Sequence, residues 1–381
     1  MATAGTPDDA QAAAADRGQR RWAEMLTSLA ALLPPGAGCV LVDGPAEQAR
    51  LFASRLSADL AARGLPVQVT VPADRASGGG VSADGIGGAG ARAHGSSADG
   101  AADATIFLRT APGGHRGVLR GHEDPRGHED SGREDPCGRE DRQPGEQTAL
   151  DRGGREHGAD IVIDLHDVQW PVIRRVAPRL AARGPWYLTE TRAFFACRAA
   201  TWNTKFGDDL PAYRAAVAEA GIRRDGVAID IGCGTGRALP PLRAAVGPAG
   251  TVIAVDITPE MLHAARPASA VARAALVLAD ARALPVADGS ADAIFAAGLV
   301  NHLPDTEAGL RELARVTRPG GLLVLFHPSG RAALAARHGH SVSHDEPLAE
   351  GPLRRSTAAS RWRLTAYDDA PHRFFAVAER R

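Results

Sequence analysis

A single lysine, Lys205, stands among 44 basic residues, the rest being arginine. Any chemistry that needs a side-chain amine falls on Lys205 or does not occur. Aromatic residues are scarce at 4%, although hydrophobic residues reach 44%. Packing therefore rests on Ala, Val and Leu, as in α/β proteins with close helix–sheet contacts. Neither sign of charge is in excess, since the formal net charge is −1, so nothing suggests a nucleic-acid partner. The four cysteines, Cys39, Cys137, Cys197 and Cys233, are scattered without a C-x-x-C pair. That spacing argues against a disulfide framework and a zinc site, and the cysteines read as buried thiols in a reducing compartment. No stretch approaches the ~18 continuous apolar residues of a membrane span. Arg20-Arg21 precede a modest apolar run, but Thr27 and Ser28 interrupt it and strand-like Cys39–Asp43 follows instead of a cleavage site. The expected compartment is the cytoplasm.

The 381 residues leave room for two domains. Residues 1–17, rich in Ala and Asp, are expected to be disordered. An α/β pattern follows over 18–73: helix Trp22–Leu33, strand Gly38–Asp43, helix Ala46–Ala62 and strand Val67–Val71. Residues 74–158 read as a low-complexity, largely disordered insertion holding one strand, Ala104–Leu108. Within it, Gly-[His/Arg]-Glu-Asp repeats start at Gly121, Gly127, Gly132 and Gly138. They read as a solvated, charge-balanced tract, with weak metal binding the other reading. The pattern resumes at the buried-strand run Ala159–Asp164 and continues through Trp170–Leu180.

Cys39–Leu60 resembles the nucleoside-kinase branch of P-loop proteins, and A-D-I-V-I-D (159–164) is similar to their late strand. Against G-x-x-x-x-G-K-[ST], Gly44 is in register, but Ala49, Arg50 and Leu51 replace the second glycine, the lysine and the hydroxyl residue. Phosphoryl transfer needs that lysine and hydroxyl. The resemblance therefore implies a degenerate P-loop domain over 18–73 and 159–180, vestigial or structural in role.

From 187 onwards the pattern changes. Helices are expected over Thr189–Ala200 and Pro211–Ala220, then V-A-I-D-I-G-C-G-T-G-R-A-L (227–239) reads as a strand turning sharply through Gly232, Gly234 and Gly236 into a helix. Glycines are needed where backbone takes unusual dihedrals and a ligand approaches closely. A dinucleotide fingerprint would place its third glycine at 237, where this chain has Arg237. Further on come strand Val252–Asp256, helix Pro259–Ala265, strands Ala275–Leu278 and Asp292–Ala297, helix Thr306–Val316 and strand Gly321–Phe326. This alternation predicts a parallel sheet. Trp362–Tyr367 and Phe374–Ala378 read as a hairpin that puts an antiparallel strand at the sheet edge.

The G-x-G-x-G run after Asp230, with V-D-I-T-P-E-M-L (255–262), L-V-L-A-D-A-R (276–282) and R-P-G-G (318–321), resembles the class I S-adenosylmethionine-dependent methyltransferases (type 11-like). The resemblance covers roughly 187–381. It implies a Rossmann-like, mostly parallel seven-stranded sheet. It implies S-adenosylmethionine as cofactor, held by Asp230, Gly232, Gly234, Gly236, Asp256, Ile257, Asp280, Ala281 and Ala297. Asp256 takes the ribose, near the ~20-residue offset at which an acid meets a ribose; it can equally cap the next helix. Asp280 takes the adenine amino group, or forms only a turn. Trp202–Gly207 (W-N-T-K-F-G) resembles the N-terminal cover such enzymes lay over the cofactor, with plain helix packing as the other reading.

His302 and His327 both fall at carboxyl ends of strands and are the candidate general bases, or merely structural. With some acceptors alignment alone suffices. The N/D-P-P-Y/F signature of nucleic-acid amino-methylases is absent; the chain has A-A-G-L there. The expected acceptor is thus a small molecule, without nucleic-acid or membrane partners. A non-catalytic S-adenosylmethionine- or nucleotide-binding regulator is the alternative. An NAD-dependent oxidoreductase conflicts with Arg237 and with Thr201 four residues before Lys205.

Overall fold

A computed structural model describes residues 7–72, 102–110, 154–156, 158–183, 186–205, 208–337 and 342–381. They divide into two compact units: Met1–Gln19 with Gly36–Pro171, and Arg20–Pro35 with Val172–Arg381. The Gly-[His/Arg]-Glu-Asp repeats and Cys137 lie outside the described residues, as do residues 206–207.

In the first unit, strands β1 (Cys39–Asp43), β2 (Gln68–Thr70), β3 (Ala104–Arg109) and β4 (Ile161–Asp164) pair in parallel in the order β2-β1-β3-β4. The apolar run of β4 is buried at all four positions, as a strand covered on both faces requires. Two helices precede and follow β1: α1 (Pro7–Leu32) and α2 (Ala46–Ala62), which buries Phe52, Leu56 and Leu60. Only Gly44 and Pro45 separate β1 from α2, so Ala49, Arg50 and Leu51 are helical. A loop long enough to wrap a phosphate does not form there.

Two boundaries differ from expectation. Residues 7–17, expected to be disordered, belong to α1. Residues 20–35 and 172–180, expected in the N-terminal domain, belong to the second unit. The reason lies in a buried ion pair between Arg21 and Glu190, whose carboxylate also accepts the Ile173 N–H at 2.8 Å. Met25, Leu29 and Leu32, fully buried on the same helix, extend this anchoring.

The second unit begins with β5 (Val172–Val176) and the helices α3 (Pro178–Ala181), α4 (Trp186–Ala196), α5 (Trp202–Lys205) and α6 (Leu210–Glu219). Then come β6 (Val227–Ile231), α7 (Leu239–Val246), β7 (Thr251–Asp256), α8 (Pro259–Ala272) and β8 (Ala275–Leu278). β9 (Ala291–Ala297), α9 (Thr306–Val316) and β10 (Thr317–His327) follow, with α10 (Arg331–Arg337), α11 (Glu350–Ala359), β11 (Trp362–Ala370) and β12 (Arg373–Arg380) completing it. α8 runs past Pro267 to Ala272, beyond the expected Ala265, and α10 and α11 were not expected at all.

Seven strands form one sheet in the order β11-β12-β10-β9-β6-β7-β8. The β11–β12 hairpin forms as expected, but the antiparallel strand is not at the edge. β12 inserts between β10 and β11, antiparallel to both, and β11 is outermost. β12 buries five consecutive residues, Phe374–Ala378, whereas β11 alternates partly exposed positions. The more continuously apolar strand therefore takes the inner place.

Side chains alternate between two cores. On one face, Ile229, Ile231, Ile294 and Leu323 pack with α9, α11 and Trp362; on the other, Ala228, Ala254, Phe295 and Phe326 pack with α6, α7 and α8. Trp362 is fully buried and its indole N–H donates to the Leu310 carbonyl at 2.9 Å, tying β11 to α9. Trp362→Ala should cost about 3–5 kcal/mol in chemical denaturation.

Candidate functional site

The chain passes from β6 to β7 and β8 on one side of the sheet, then returns through β9 and β10 on the other. Open α/β sheets bind ligands at the carboxyl ends of strands beside such a reversal. The glycine loop lies at that point. Gly232, Gly234 and Gly236 take φ of +72°, +52° and +83°, a region side chains with Cβ avoid. The Gly232 and Cys233 N–H groups donate to the Val255 carbonyl at 2.8 and 3.0 Å, docking the loop on the end of β7.

Two carboxylates frame it. Period-two alternation puts Asp230 of β6 and Asp256 of β7 on the same face of neighbouring strands. Asp256 accepts the Gly234 N–H at 2.9 Å and the Thr258 N–H at 2.8 Å. Burial still raises its pKa, against the pull of those bonds. Asp230 is 1% exposed, and among the described residues its Oδ2 has no hydrogen-bond partner. Burial, reinforced by the nearby charge of Asp256, pushes its pKa up to about 8. A buried carboxylate oxygen without a donor is costly, and it is offset when a cation is brought to it.

Of the segment expected to cover the loop, Asn203 is held against it. Asn203 of α5 accepts the Thr235 hydroxyl at 2.7 Å and Arg237 Nε at 3.2 Å. Arg237, buried at the place of the missing third glycine, also pairs with Asp209. Sequence reasoning used Arg237 only to exclude a dinucleotide and overlooked this latch. A charged residue between a glycine loop and an apolar helix was the available signal. Arg192 of α4 donates through Nε to the Ile257 carbonyl at 2.8 Å.

Asp280 lies just beyond β8, next to buried Ala281. Its carboxylate receives Arg282 Nη2 at 2.7 Å, Arg282 Nε at 3.1 Å and the Arg282 N–H at 2.9 Å. The same guanidinium lies 4.3 Å from the centre of the Tyr187 ring. Ala297 ends β9, half-buried, opposite Phe326. Sequence reasoning did not foresee Arg282 as a partner of Asp280.

The two histidines have different surroundings. His302 Nδ1 lies 3.3 Å from Arg174 Nη2, and Phe195 meets its ring edge-on at 5.1 Å. Burial, then the positive charge of Arg174, pushes its pKa down to about 3. His327, at the end of β10, accepts the Ser329 N–H on Nδ1 at 3.1 Å, and the same nitrogen lies 2.9 Å from the Ser329 carbonyl. It lines a pocket with Gly298, Leu299 and Phe326, which His302 does not. Cys233 is buried in the loop, but Cys197 is exposed, against the expectation of buried thiols.

Residues 229–325 match the family model described as a methyltransferase domain. That segment is similar to methyltransferase domains. It spans β6 to β10 and so contains the glycine loop, Asp230, Asp256 and Asp280. Over 123 residues the chain is 38% identical to an uncharacterised 37.1 kDa protein in transposon TN4556 of Streptomyces fradiae, covering 32% of this chain and 36% of that protein. It is 35% identical over 112 residues to the demethylmenaquinone methyltransferase of Staphylococcus aureus strain JH9, covering 29% of this chain and 46% of that enzyme. The chain thus spans between about a third and a half of the length of these curated relatives. A solved S-adenosylmethionine-dependent methyltransferase from Aquifex aeolicus superposes with a TM-score of 0.40 at 22% identity, covering 46% of this chain and 95% of that one. Among the described residues, no helix is long and apolar enough to cross a membrane.

Proposed function

We propose that this chain transfers a methyl group from S-adenosylmethionine to a small-molecule acceptor. The observation that carries the reading is the buried Asp230 Oδ2, without a donor, beside a glycine loop braced by Asp256. An α-amino acid moiety brings an ammonium that matches such an oxygen. Asp256 would hold ribose hydroxyls, and Asp280 with Ala281 the adenine edge, once Arg282 shares or releases the Asp280 carboxylate. The cofactor supplies an electrophilic methyl group on sulfonium. The protein aligns the partners and excludes water, with Asn203 and Arg237 fastening α5 over the loop. Of the two candidate bases, His327 is the better placed, since His302 abuts a guanidinium and binds a proton only in strong acid. The N-terminal unit serves as a structural module, as a phosphate site lacking both its lysine and its loop would.

Calorimetry with S-adenosylhomocysteine, NAD and ATP tests the cofactor assignment: the first should bind, and binding of NAD alone would sink it. Incubation with methyl-labelled cofactor and a metabolite extract then asks for a labelled product, which a purely regulatory binder would not give.

Two glycine substitutions separate ligand space from packing. A Cβ on Gly234 meets no heavy atom within 4 Å, whereas one on Gly236 lies 2.9 Å from Leu239 Cδ1 and 3.0 Å from Ala268 Cβ. Both carry the left-handed backbone cost of roughly 1–2 kcal/mol. Gly234→Ala should weaken S-adenosylhomocysteine binding at least tenfold while keeping most of the stability. Gly236→Ala should lower the melting temperature further. Equal losses in both melts would remove the distinction.

A further inference from the structure

Asp280 sits in a turn fastened to the end of the sheet. Leu278 of β8 pairs in register with Asp256 of β7, and the Ala279 N–H donates to the Asp256 carbonyl at 3.1 Å. The Ala283 N–H closes the turn on the Asp280 carbonyl at 3.0 Å. Asp280 is thus anchored one strand across from Asp256, and neighbouring strands lie about 4.8 Å apart. Tyr187 of α4 belongs to the same corner. Burial, then the charge of Asp280, pushes the pKa of its hydroxyl up to about 12, and Asp256 adds to the effect while Arg282 opposes it.

Arg282 joins the ring to the carboxylate. Its guanidinium carbon lies over the Tyr187 ring, 4.3 Å from the centre, which is stacking range. Its Nε is shared between the two Asp280 oxygens, at 3.1 Å from each. Nη2 donates to Oδ2 at 2.7 Å, and the Arg282 N–H donates to Oδ1 at 2.9 Å. A carboxylate offers about four lone-pair sites, and these contacts take up two on each oxygen. A further donor can reach Asp280 only if the guanidinium leaves. Leaving is cheap, because the Arg282 side chain is 31% exposed and an ion pair open to water is weak.

The corner recognises a chemistry that a guanidinium shares with an aminopurine. Both are flat, with N–H donors in the plane and a face that stacks on an aromatic ring. We propose that Arg282 is a placeholder in the adenine subsite, its guanidinium holding the Tyr187 face and the Asp280 carboxylate until the base of the cofactor takes over both contacts. This rests on the methyltransferase reading above. Binding exchanges one planar donor for another: Tyr187 stacks on the base, Asp280 accepts its amino group, and the Arg282 side chain goes to solvent. Affinity is lowered by the strength of the arginine's own pairing. Only two residues from the carboxylate, the arginine is at hand to return as the base departs.

Calorimetry with S-adenosylhomocysteine on the full chain measures this. Arg282→Ala should tighten binding about three- to tenfold, the worth of a partly exposed ion pair. A residue that merely braced the site would weaken binding when removed. Arg282→Gln should tighten it too, and decides the matter if the alanine variant melts early. In an Asp280→Asn background, where the guanidinium is held loosely, the gain from Arg282→Ala should fall below twofold. Tyr187→Phe keeps the ring and should bind within twofold of wild type, whereas Tyr187→Leu should lose about tenfold. Tightening of less than twofold in both Arg282 variants, or weakening, overturns the placeholder and leaves the methyltransferase reading standing. A gain of twofold or more in the Asp280→Asn background, or a folded Tyr187→Leu that binds as wild type does, overturns the place given to the base. Failure of wild type and Arg282→Ala alike to bind S-adenosylhomocysteine overturns the methyltransferase reading and this inference together.

Discussion

Asp230→Asn should make the ligand-free chain more stable at pH 8 and at the same time weaken cofactor binding about a hundredfold or more. Both effects come from one buried carboxyl group. Its pKa is raised to about 8 in the folded chain from an ordinary 3.8. Between those values the folded state binds the proton that the unfolded state has lost. Stability therefore falls as pH rises through this window, by up to about 1.4 kcal/mol per unit. An amide does not titrate, so the variant should melt above wild type at pH 8, and the gap should close towards pH 4. Binding has the opposite sign. An ammonium brought to Oδ2 requires the ionised form, so wild-type affinity should drop about tenfold per unit below pH 8 and the variant's should not. Melts at pH 4 and 8 with calorimetry at pH 6 and 8 read all four numbers. A variant that melts below wild type at pH 8 would show that the carboxylate already has a partner.

The sequence exposed those features whose chemistry fixes residue type and offset together. Gly232, Gly234 and Gly236 had to be glycine for their positive φ, and Asp256 had to end a strand to reach the Gly234 N–H. Both were therefore legible. The solitude of Asp230 Oδ2 was not, because it depends on which donors fail to arrive from other elements. The inner place of β12 was equally hidden. A hairpin fixes the pairing of two strands but not which of them meets the sheet. Likewise, His302 and His327 look equivalent at strand ends, and only packing puts Arg174 and Phe195 against the first and an apolar pocket beside the second. In each case the missing information was a non-local neighbour.

Asp256→Ala should be the most damaging single change at the site, with binding of S-adenosylhomocysteine falling about 10²–10⁴-fold. Two losses combine. The ribose would lose up to two charge-assisted bonds, each worth about 1.5–3 kcal/mol. The Gly234 and Thr258 N–H groups would lose their acceptor, and an unpaired buried donor costs about 1–3 kcal/mol. Asp256→Asn keeps one oxygen for one of these donors, so its melt should lie between those of wild type and alanine. The change also reaches Asp230. The charge of Asp256 helps hold that carboxyl protonated, so removing it should let Asp230 ionise at lower pH. In the Asp256→Ala background, Asp230→Asn should therefore stabilise the chain less at pH 8 than it does in wild type. A double-mutant cycle measures that difference directly. Strict additivity would mean the two carboxylates do not sense one another, and the pocket would lose the electrostatic coupling that gives a cation its place.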